Sequence, residues 1–313
     1  MNFPAQIAGL DDVKLPSRAL HLAIGMFDGV HLGHRAVIEA AVQSARATGA
    51  LSGVLTFSPH PSVVFRPDNP TKMIHDADIK GRILKELGVD LVITQTFDAE
   101  LASIPADEFL PWLLRALPRL AAIYVGENFR FGQGRRGDVA VLVAAGRKHG
   151  VRVFSAPRVN LNGEPISSTR IRAQLAGGEV ESANALLGYN YFSEGTVTGG
   201  KRLGRTLGFP TLNLPWAPEL RPCLGVYAVR VTGAKSPEPL LAVANYGLRP
   251  TVEQTVVPRL EVHVLGACPF GEGDVVRIEW IRFLRPEKKF AGVEELRAQI
   301  EVDRETAKAF FGA

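Results

Sequence analysis

Apolar strand-like runs recur along the first half of this chain at the spacing of strand–helix units, and that rhythm stops near residue 188. Leu20–Phe27, Leu51–Phe57, Leu91–Phe97, Ala121–Val125 and Val151–Ser155 read as strands. Helical stretches separate them: His34–Thr48 before Gly49, Asp78–Leu87 before Gly88, and Asp107–Leu117 with Pro111 in its first turn. Such alternation predicts a parallel sheet covered on both faces, with ligands bound beyond the carboxyl ends of its strands. Past Gly188 come short runs rich in Val, Tyr, Phe and Thr: Phe192–Thr198, Pro210–Leu214, Gly225–Val231, Leu240–Ala244, Arg259–Leu265 and Val275–Phe283. No long helix intervenes until Val293–Phe311, which predicts an antiparallel barrel with a helical appendage. The fold class is therefore α/β plus all-β, in two domains spanning 1–187 and 188–313. A chain of 313 residues is long enough for both.

Composition narrows the partners. No apolar run is long enough to span a membrane, and the start Met1-Asn-Phe-Pro-Ala lacks a signal-peptide pattern. Cys223 and Cys268 are the two cysteines, in no Cys-x-x-Cys unit, as suits a reducing cytoplasm. The net charge of +4 is a mild basic excess. Its clusters, Arg130/Arg135/Arg136 and Lys201/Arg202/Arg205, are threaded with glycines rather than stacking aromatics. Compact phosphates fit them better than nucleic acid.

The segment Gly25-Met-Phe-Asp-Gly-Val-His-Leu-Gly-His34 lies where the first strand runs into a helix. A helix N-terminus offers unpaired N–H groups and partial positive charge, so phosphate is its natural guest. His31 and His34, three apart, lie on one side of the turn and can contact the same phosphates. Two other readings stay open at this point: a fragment of a metal site, or a glycine-rich turn with incidental histidines. Thr56-Phe-Ser-Pro-His-Pro61 and Gly126-Glu-Asn-Phe-Arg-Phe-Gly132 follow later strands at the same end. In Ile166-Ser-Ser-Thr-Arg-Ile-Arg172, the hydroxyls of Ser167, Ser168 and Thr169 can cap a helix or face phosphate, and Arg172 adds a bidentate guanidinium.

In the second half, Gly195 to Leu214 alternates glycines with Lys201, Arg202 and Arg205, then ends in Gly208-Phe-Pro-Thr-Leu-Asn-Leu214. It is not a Walker A loop. Thr211 and Asn213 share one face of a strand and offer neutral oxygen ligands suited to magnesium when phosphate supplies the charge. A plain basic hairpin is the competing reading.

Taken together, the first-half motifs resemble the HxGH nucleotidylyltransferases in the form carried by bacterial FAD synthetases. The resemblance implies a Rossmann-like domain that adenylylates FMN with ATP. It implies ATP contacts at Gly25, Phe27, Asp28, Gly29, His31, His34, Ser167, Ser168, Thr169 and Arg172, with His31, His34 and Arg172 catalytic. FMN contacts are implied at Pro59, His60, Asn128, Phe129, Arg130 and Asp138. The second half resembles riboflavin kinases, whose Gly-Phe-Pro-Thr-Ala-Asn motif holds magnesium and phosphates; Leu212 stands here for the usual Ala. That likeness implies a six-stranded kinase barrel, with phosphate contacts at Gly199, Lys201, Gly204, Arg205, Gly208, Thr211 and Asn213, the last pair holding the metal. Glu261 matches the general base, and Gly225, Tyr227, Arg249, Arg285 and Phe290 the flavin contacts. After His263 this chain departs from the family, with Leu265-Gly-Ala-Cys-Pro-Phe-Gly-Glu-Gly in place of an acidic turn and a Tyr-Gly pair. The expectation is a bifunctional, cytoplasmic flavin enzyme using ATP and magnesium. Its flavins are substrates and products, it has no nucleic-acid or membrane partner, and it is a monomer or weak homo-oligomer. The alternatives are the same fold with an active adenylyltransferase alone, or a basic nucleic-acid-binding protein.

Overall fold

All five residues of Leu20–Ile24 are buried, as a parallel strand with helices on both sheet faces requires. The computed structural model describes residues 5–14, 16–199, 208–248 and 258–312. They form two units by internal packing, Met1–Ser168 and Thr169–Ala313. The first carries β1 (Ala5–Ala8), β2 (Leu20–Ile24), α1 (Leu32–Thr48), β3 (Leu51–Ser58), α2 (Ser62–Phe65), α3 (Ala77–Glu86), β4 (Leu91–Thr96), α4 (Ala99–Ser103), α5 (Phe109–Ala116), β5 (Leu120–Gly126), α6 (Val139–His149), β6 (Arg152–Ala156) and a short hairpin, β7 (Asn160–Leu161) and β8 (Glu164–Pro165).

The six-stranded sheet runs β1-β4-β3-β2-β5-β6, with every pairing parallel. Strand order reverses beside β2: β3 and β4 build outward on one side, β5 and β6 on the other. Ligands of doubly wound sheets bind at that switch point, beyond the carboxyl ends of the strands. The β2–α1 turn occupies it. Leu22, Ile24, Leu55, Ile93 and Ile123 of the sheet share one buried cluster with Leu113 of α5 and Leu142 of α6. Asp76 caps α3 by accepting from the Ile79 N–H at 2.7 Å, and Gly49 ends α1 in the left-handed conformation. β1 was not foreseen, because its four residues are alternately half-buried and exposed and too few to show a period.

The second unit takes in α7 (Ser168–Gly177) from Thr169 onward, then α8 (Val180–Leu187). It continues through β9 (Phe192–Thr196), β10 (Leu212–Leu214), β11 (Gly225–Gly233), β12 (Ser236–Leu248), β13 (Pro258–Val264), β14 (Val275–Pro286) and α9 (Val293–Phe311). Packing assigns α7 and α8 to the barrel: the Leu175 carbonyl accepts from the Cys223 N–H at 2.9 Å, and Asn184 donates to the Trp280 carbonyl at 2.8 Å. The antiparallel sheet runs β10-β13-β12-β11-β14-β9. A bridge from the Thr198 N–H to the Asn213 carbonyl at 2.9 Å joins its two edges, closing the barrel as expected.

Alternation along β13 puts Leu260, Val262 and Val264 inside and Arg259, Glu261 and His263 outside. The interior is aromatic. Trp280, 0% exposed, meets Tyr227 edge to face at 4.6 Å, Trp216 at 5.3 Å and Tyr246 at 5.6 Å between ring centroids. Its indole N–H donates to Ser193 Oγ at 3.1 Å. Trp280→Ala should therefore cost the barrel about 3–5 kcal/mol, read as a lower urea midpoint with unchanged slope.

Candidate functional site

The turn between β2 and α1 is strained. Phe27 and Val30 sit at φ +46° and +39°, with Gly29 between them at +77°. Positive φ is a rare conformation for a bulky or β-branched residue, and such strain persists only where the surroundings over-determine it. Here they do. The Asp28 carboxylate, 2% exposed, accepts from the Ile74 N–H at 2.9 Å, and the Asp28 carbonyl accepts from the Ser168 hydroxyl at 2.9 Å. The Met26 carbonyl accepts from the Thr56 hydroxyl at 2.9 Å and from the Lys80 ammonium at 3.2 Å.

That backbone places two imidazoles face to face. His31 is the N-cap of α1, and its Nδ1 accepts from the His34 backbone N–H at 3.2 Å. An accepting Nδ1 leaves the ring proton on Nε2, where it can donate to a ligand. The His31 ring folds over Gly33, where a Cβ would lie 3.2 Å from Cε1. The His31 and His34 rings stack at 3.6 Å and 16°, and Phe27 meets His34 edge-on at 5.3 Å. Burial, His31 and the Lys80 ammonium hold His34 well below the ordinary histidine range, so it is neutral at pH 7. Its Nδ1 is buried with no hydrogen-bond partner, a polar atom that an incoming phosphate or nucleotide group can satisfy. The reading of the pair as a metal fragment gains no support: among the described residues no three His, Cys, Asp or Glu side chains form a metal-holding group.

Two cavities meet at this turn. One of about 200 Å³ is lined by His31, His34, Gly126 and the segment Ala156–Val159. The other, about 500 Å³, is walled by Phe57, Phe65, Phe97, Phe109 and Phe131, with Arg130 and Arg135 as its charged lining groups. Gly25, Asn128 and Phe129 line both. The sequence had not singled out the phenylalanines of α2 and β4's exit, which belong to no motif.

Asn128, Phe129 and Arg130 line the apolar cavity. His60 and Asp138 serve their own helices: the Ser62 N–H donates to His60 Nδ1 at 3.1 Å, and the Val141 N–H to Asp138 Oδ1 at 3.0 Å. Arg130 also pairs with Asp138 at 3.1 Å. Pro59 follows the end of β3, and neither it nor His60 is among the residues lining the cavity, whereas Pro61 is. Ser168 is the first residue of α7 and spends its hydroxyl on Asp28, while Ser167 directly precedes that helix. Thr169 and Arg172 belong to α7 of the second unit.

On the barrel, strand register brings the kinase-like residues together on the outer face. Asn213 of β10 pairs with Glu261 of β13, which pairs with Asn245 of β12. Directly opposed residues on neighbouring strands point the same way, so the three form one row. Leu212, 7% exposed, points inward, so its substitution for Ala concerns the core and not the outer face. Thr198, Gly208, Thr211, Asn213, His263 and Arg304 line a cavity of about 630 Å³. His263 Nδ1 lies 2.9 Å from the Pro210 carbonyl, and the His263 ring packs edge-on to Phe209, fixing the stretch that carries Thr211 into β10. Thr211 and Asn213 present neutral oxygens beside a carboxylate, a hard donor set that fits magnesium when phosphate oxygens complete the shell. Gly199 approaches Glu272 in the same wall. The segment after His263, where the chain departs from the family, folds over this wall: Phe270 is buried and Asp274 is held by Lys235 at 2.7 Å. Lys201, Gly204, Arg205 and Arg249 lie outside the described residues.

At two of the positions expected to meet flavin, the side chain has a partner within the fold. Tyr227, 1% exposed, points into the barrel, where its ring packs on Trp280 and Phe283 and its hydroxyl donates to the Cys223 carbonyl. Arg285 is committed to α9: its Nε and Nη2 each donate to Asp303 at 2.7 Å. Gly225 is required by close passage, since a Cβ there would lie 2.4 Å from the Arg285 carbonyl. Phe290 stands beside Arg285 and Lys288, 5.8 and 5.4 Å from their cationic centres.

Comparison with known proteins covers both units. A family model described as FAD synthetase matches residues 14–170, and one described as riboflavin kinase matches residues 187–311. A bifunctional riboflavin kinase/FMN adenylyltransferase of Escherichia coli is 39% identical over 299 residues, covering 96% of this chain and 95% of that protein. Another, of Listeria monocytogenes, is 38% identical over 296 residues, covering 93% and 92%. A solved structure described as a macrolide-efflux protein from Streptococcus pneumoniae shares the fold, with TM-score 0.85 and 29% identity over 97% of this chain and 98% of that one. Among the described residues, no helix is long and apolar enough to cross a membrane.

The neutral state of His34 has a consequence for stability. Its folded pKa lies below the unfolded value, so its contribution is complete above about pH 6.5 and is lost as the pH falls and the unfolded chain alone takes up the proton. His34→Gln should therefore lose less stability than the wild type between about pH 7 and pH 5 in urea titrations.

Proposed function

The chain belongs to the family of bifunctional riboflavin kinases/FMN adenylyltransferases, and from that premise we propose how its residues divide the two reactions. It phosphorylates riboflavin to FMN with one ATP and adenylylates FMN to FAD with a second. The division assigned to them is 1–187 for adenylyl transfer and 188–313 for the kinase.

The observation that carries the first assignment is the wall shared by the two cavities at Gly25, Asn128 and Phe129. A nucleotide beside the histidines and a flavin in the phenylalanine-lined cavity would meet there. An oxygen of the FMN phosphate attacks the α-phosphorus of ATP. A new P–O bond forms, the α–β anhydride breaks and pyrophosphate leaves. The attacking phosphate is already anionic, so no protein nucleophile is needed. His31, donating from Nε2, His34 and the N–H groups opening α1 stabilise charge on the phosphates, with Arg172 as a further donor. Arg130 and Asn128 orient the flavin phosphate at the rim.

In the kinase reaction Glu261 takes the proton of the riboflavin 5′-hydroxyl. That oxygen then attacks the γ-phosphorus and ADP leaves. Magnesium held by the oxygens of Thr211 and Asn213 would supply charge neutralisation on the phosphates. Gly225, Tyr227, Arg285 and Phe290 are the flavin-side assignments among the described residues. The same reading makes the enzyme cytoplasmic, a monomer or weak homo-oligomer, with small-molecule partners alone.

His31→Ala should slow conversion of supplied FMN to FAD roughly 100-fold or more while leaving riboflavin phosphorylation intact. Glu261→Ala should do the reverse, abolishing FMN formation and sparing FAD formation. Joint loss of both activities in either folded variant contradicts two separate sites.

A further inference from the structure

Lys80 is 2% exposed, and no step above uses it. It lies on the apolar side of α3, beside Ile79, Ile83 and Leu84. Its ammonium donates to the Thr56 hydroxyl at 2.9 Å, the Met26 carbonyl at 3.2 Å and the Phe57 carbonyl at 3.4 Å. Three acceptors match its three donors, so the group is satisfied although it is removed from water. Two of them sit at the end of β3 and one at the start of the strained turn. Met26 and Phe57 also line the phenylalanine-walled cavity, so the cation lies directly behind the surface where flavin and nucleotide meet.

We propose that Lys80 is a positioning residue for adenylyl transfer, tying the turn that carries His31 and His34 to the end of β3 and placing a fixed positive charge behind them. A hydrocarbon side chain would fill this space at lower cost, because burying an ammonium is unfavourable even when it is hydrogen-bonded. Retention of the charge points to a use for it. Burial pushes the Lys80 ammonium down to about 8, and the Asp28 carboxylate opposes that shift, so the group is charged at neutral pH. The titratable groups acting on it from neighbouring elements are Asp28 of the turn and His34 of α1; β3 contributes the Thr56 hydroxyl and the Phe57 carbonyl. The charge acts in two ways. It fixes the Met26 carbonyl one residue before Phe27, where the left-handed backbone begins, and it disfavours a second positive charge on His34.

The inference rests on the adenylyl-transfer assignment of this turn. The test uses the full-length protein, with riboflavin phosphorylation by the same molecules as the control for folding. Lys80→Met should lower kcat for FMN adenylylation roughly 100-fold, as small misplacements of catalytic groups do, with KM for FMN little changed. In the same variant, imidazole NMR should show His34 titrating at higher pH, while Lys80→Arg keeps the wild-type titration. A merely structural lysine would move neither kcat nor the His34 titration in a folded variant. Adenylylation within twofold of the wild type, or an unmoved His34 titration, overturns the proposal. Should Lys80→Met not fold, the wild type decides: FMN adenylylation must fall as the pH rises through about 8, in step with the Lys80 ammonium followed by NMR. A rate indifferent to that titration is equally fatal. If His31→Ala retains full adenylylation, the site assignment itself is wrong; if only Lys80→Met retains it, the role given to Lys80 alone fails.

Discussion

A segment of backbone held against its own preference organises the first half of this molecule. Phe27 and Val30 adopt positive φ in the turn that leaves β2. Each such residue costs on the order of 1–3 kcal/mol, which the surrounding contacts must offset. The contacts come from four residues distant in sequence: Thr56, Ile74, Lys80 and Ser168. They converge on the backbone or carboxylate of Met26 and Asp28. The outcome is an α1 that starts on His31 rather than on an ordinary capping hydroxyl, with His34 stacked on it and neutral. The chemistry needs donors fixed before the phosphates arrive, and fixed donors in a water-poor site are worth far more than mobile ones.

The barrel solves a different problem with strand alternation. Its aromatic interior, centred on Trp280, leaves the outer face of β10, β13 and β12 for polar groups. Asn213, Glu261 and Asn245 occupy one row there because antiparallel register puts opposed residues on the same side. The same alternation sets Tyr227 inside the barrel, between Val226 and Ala228, which share a buried cluster with Ala307 of α9. Arg285 is a strut that pins α9 to β14 through Asp303.

Much of this was legible in the sequence. The two rhythms give the parallel sheet and the barrel, and terminal helix Val293–Phe311 is as expected. Thr211 and Asn213 on one face, with Leu212 opposed, follow from a period of two. What escaped was long-range. Lys80 reads as a surface charge unless its place on the apolar side of α3, beside Ile83 and Leu84, is weighed. The ring of phenylalanines around the cavity of about 500 Å³ comes from five separate elements and loops, so no local pattern contains it. The inward setting of Tyr227 escaped because a motif names residues without giving the side of the strand they face. β1 was missed because four half-exposed residues carry too little signal.

The central claim is that one chain transfers two different phosphorus atoms of ATP at two sites. The direct measurement is to supply riboflavin, magnesium and ATP radiolabelled at either the γ- or the α-phosphate, and to follow label in the separated flavins. Label from the γ-position should enter FMN first and persist in FAD, whereas label from the α-position should enter FAD alone. Label from the α-position in FMN, or FAD that never acquires it, would contradict the account.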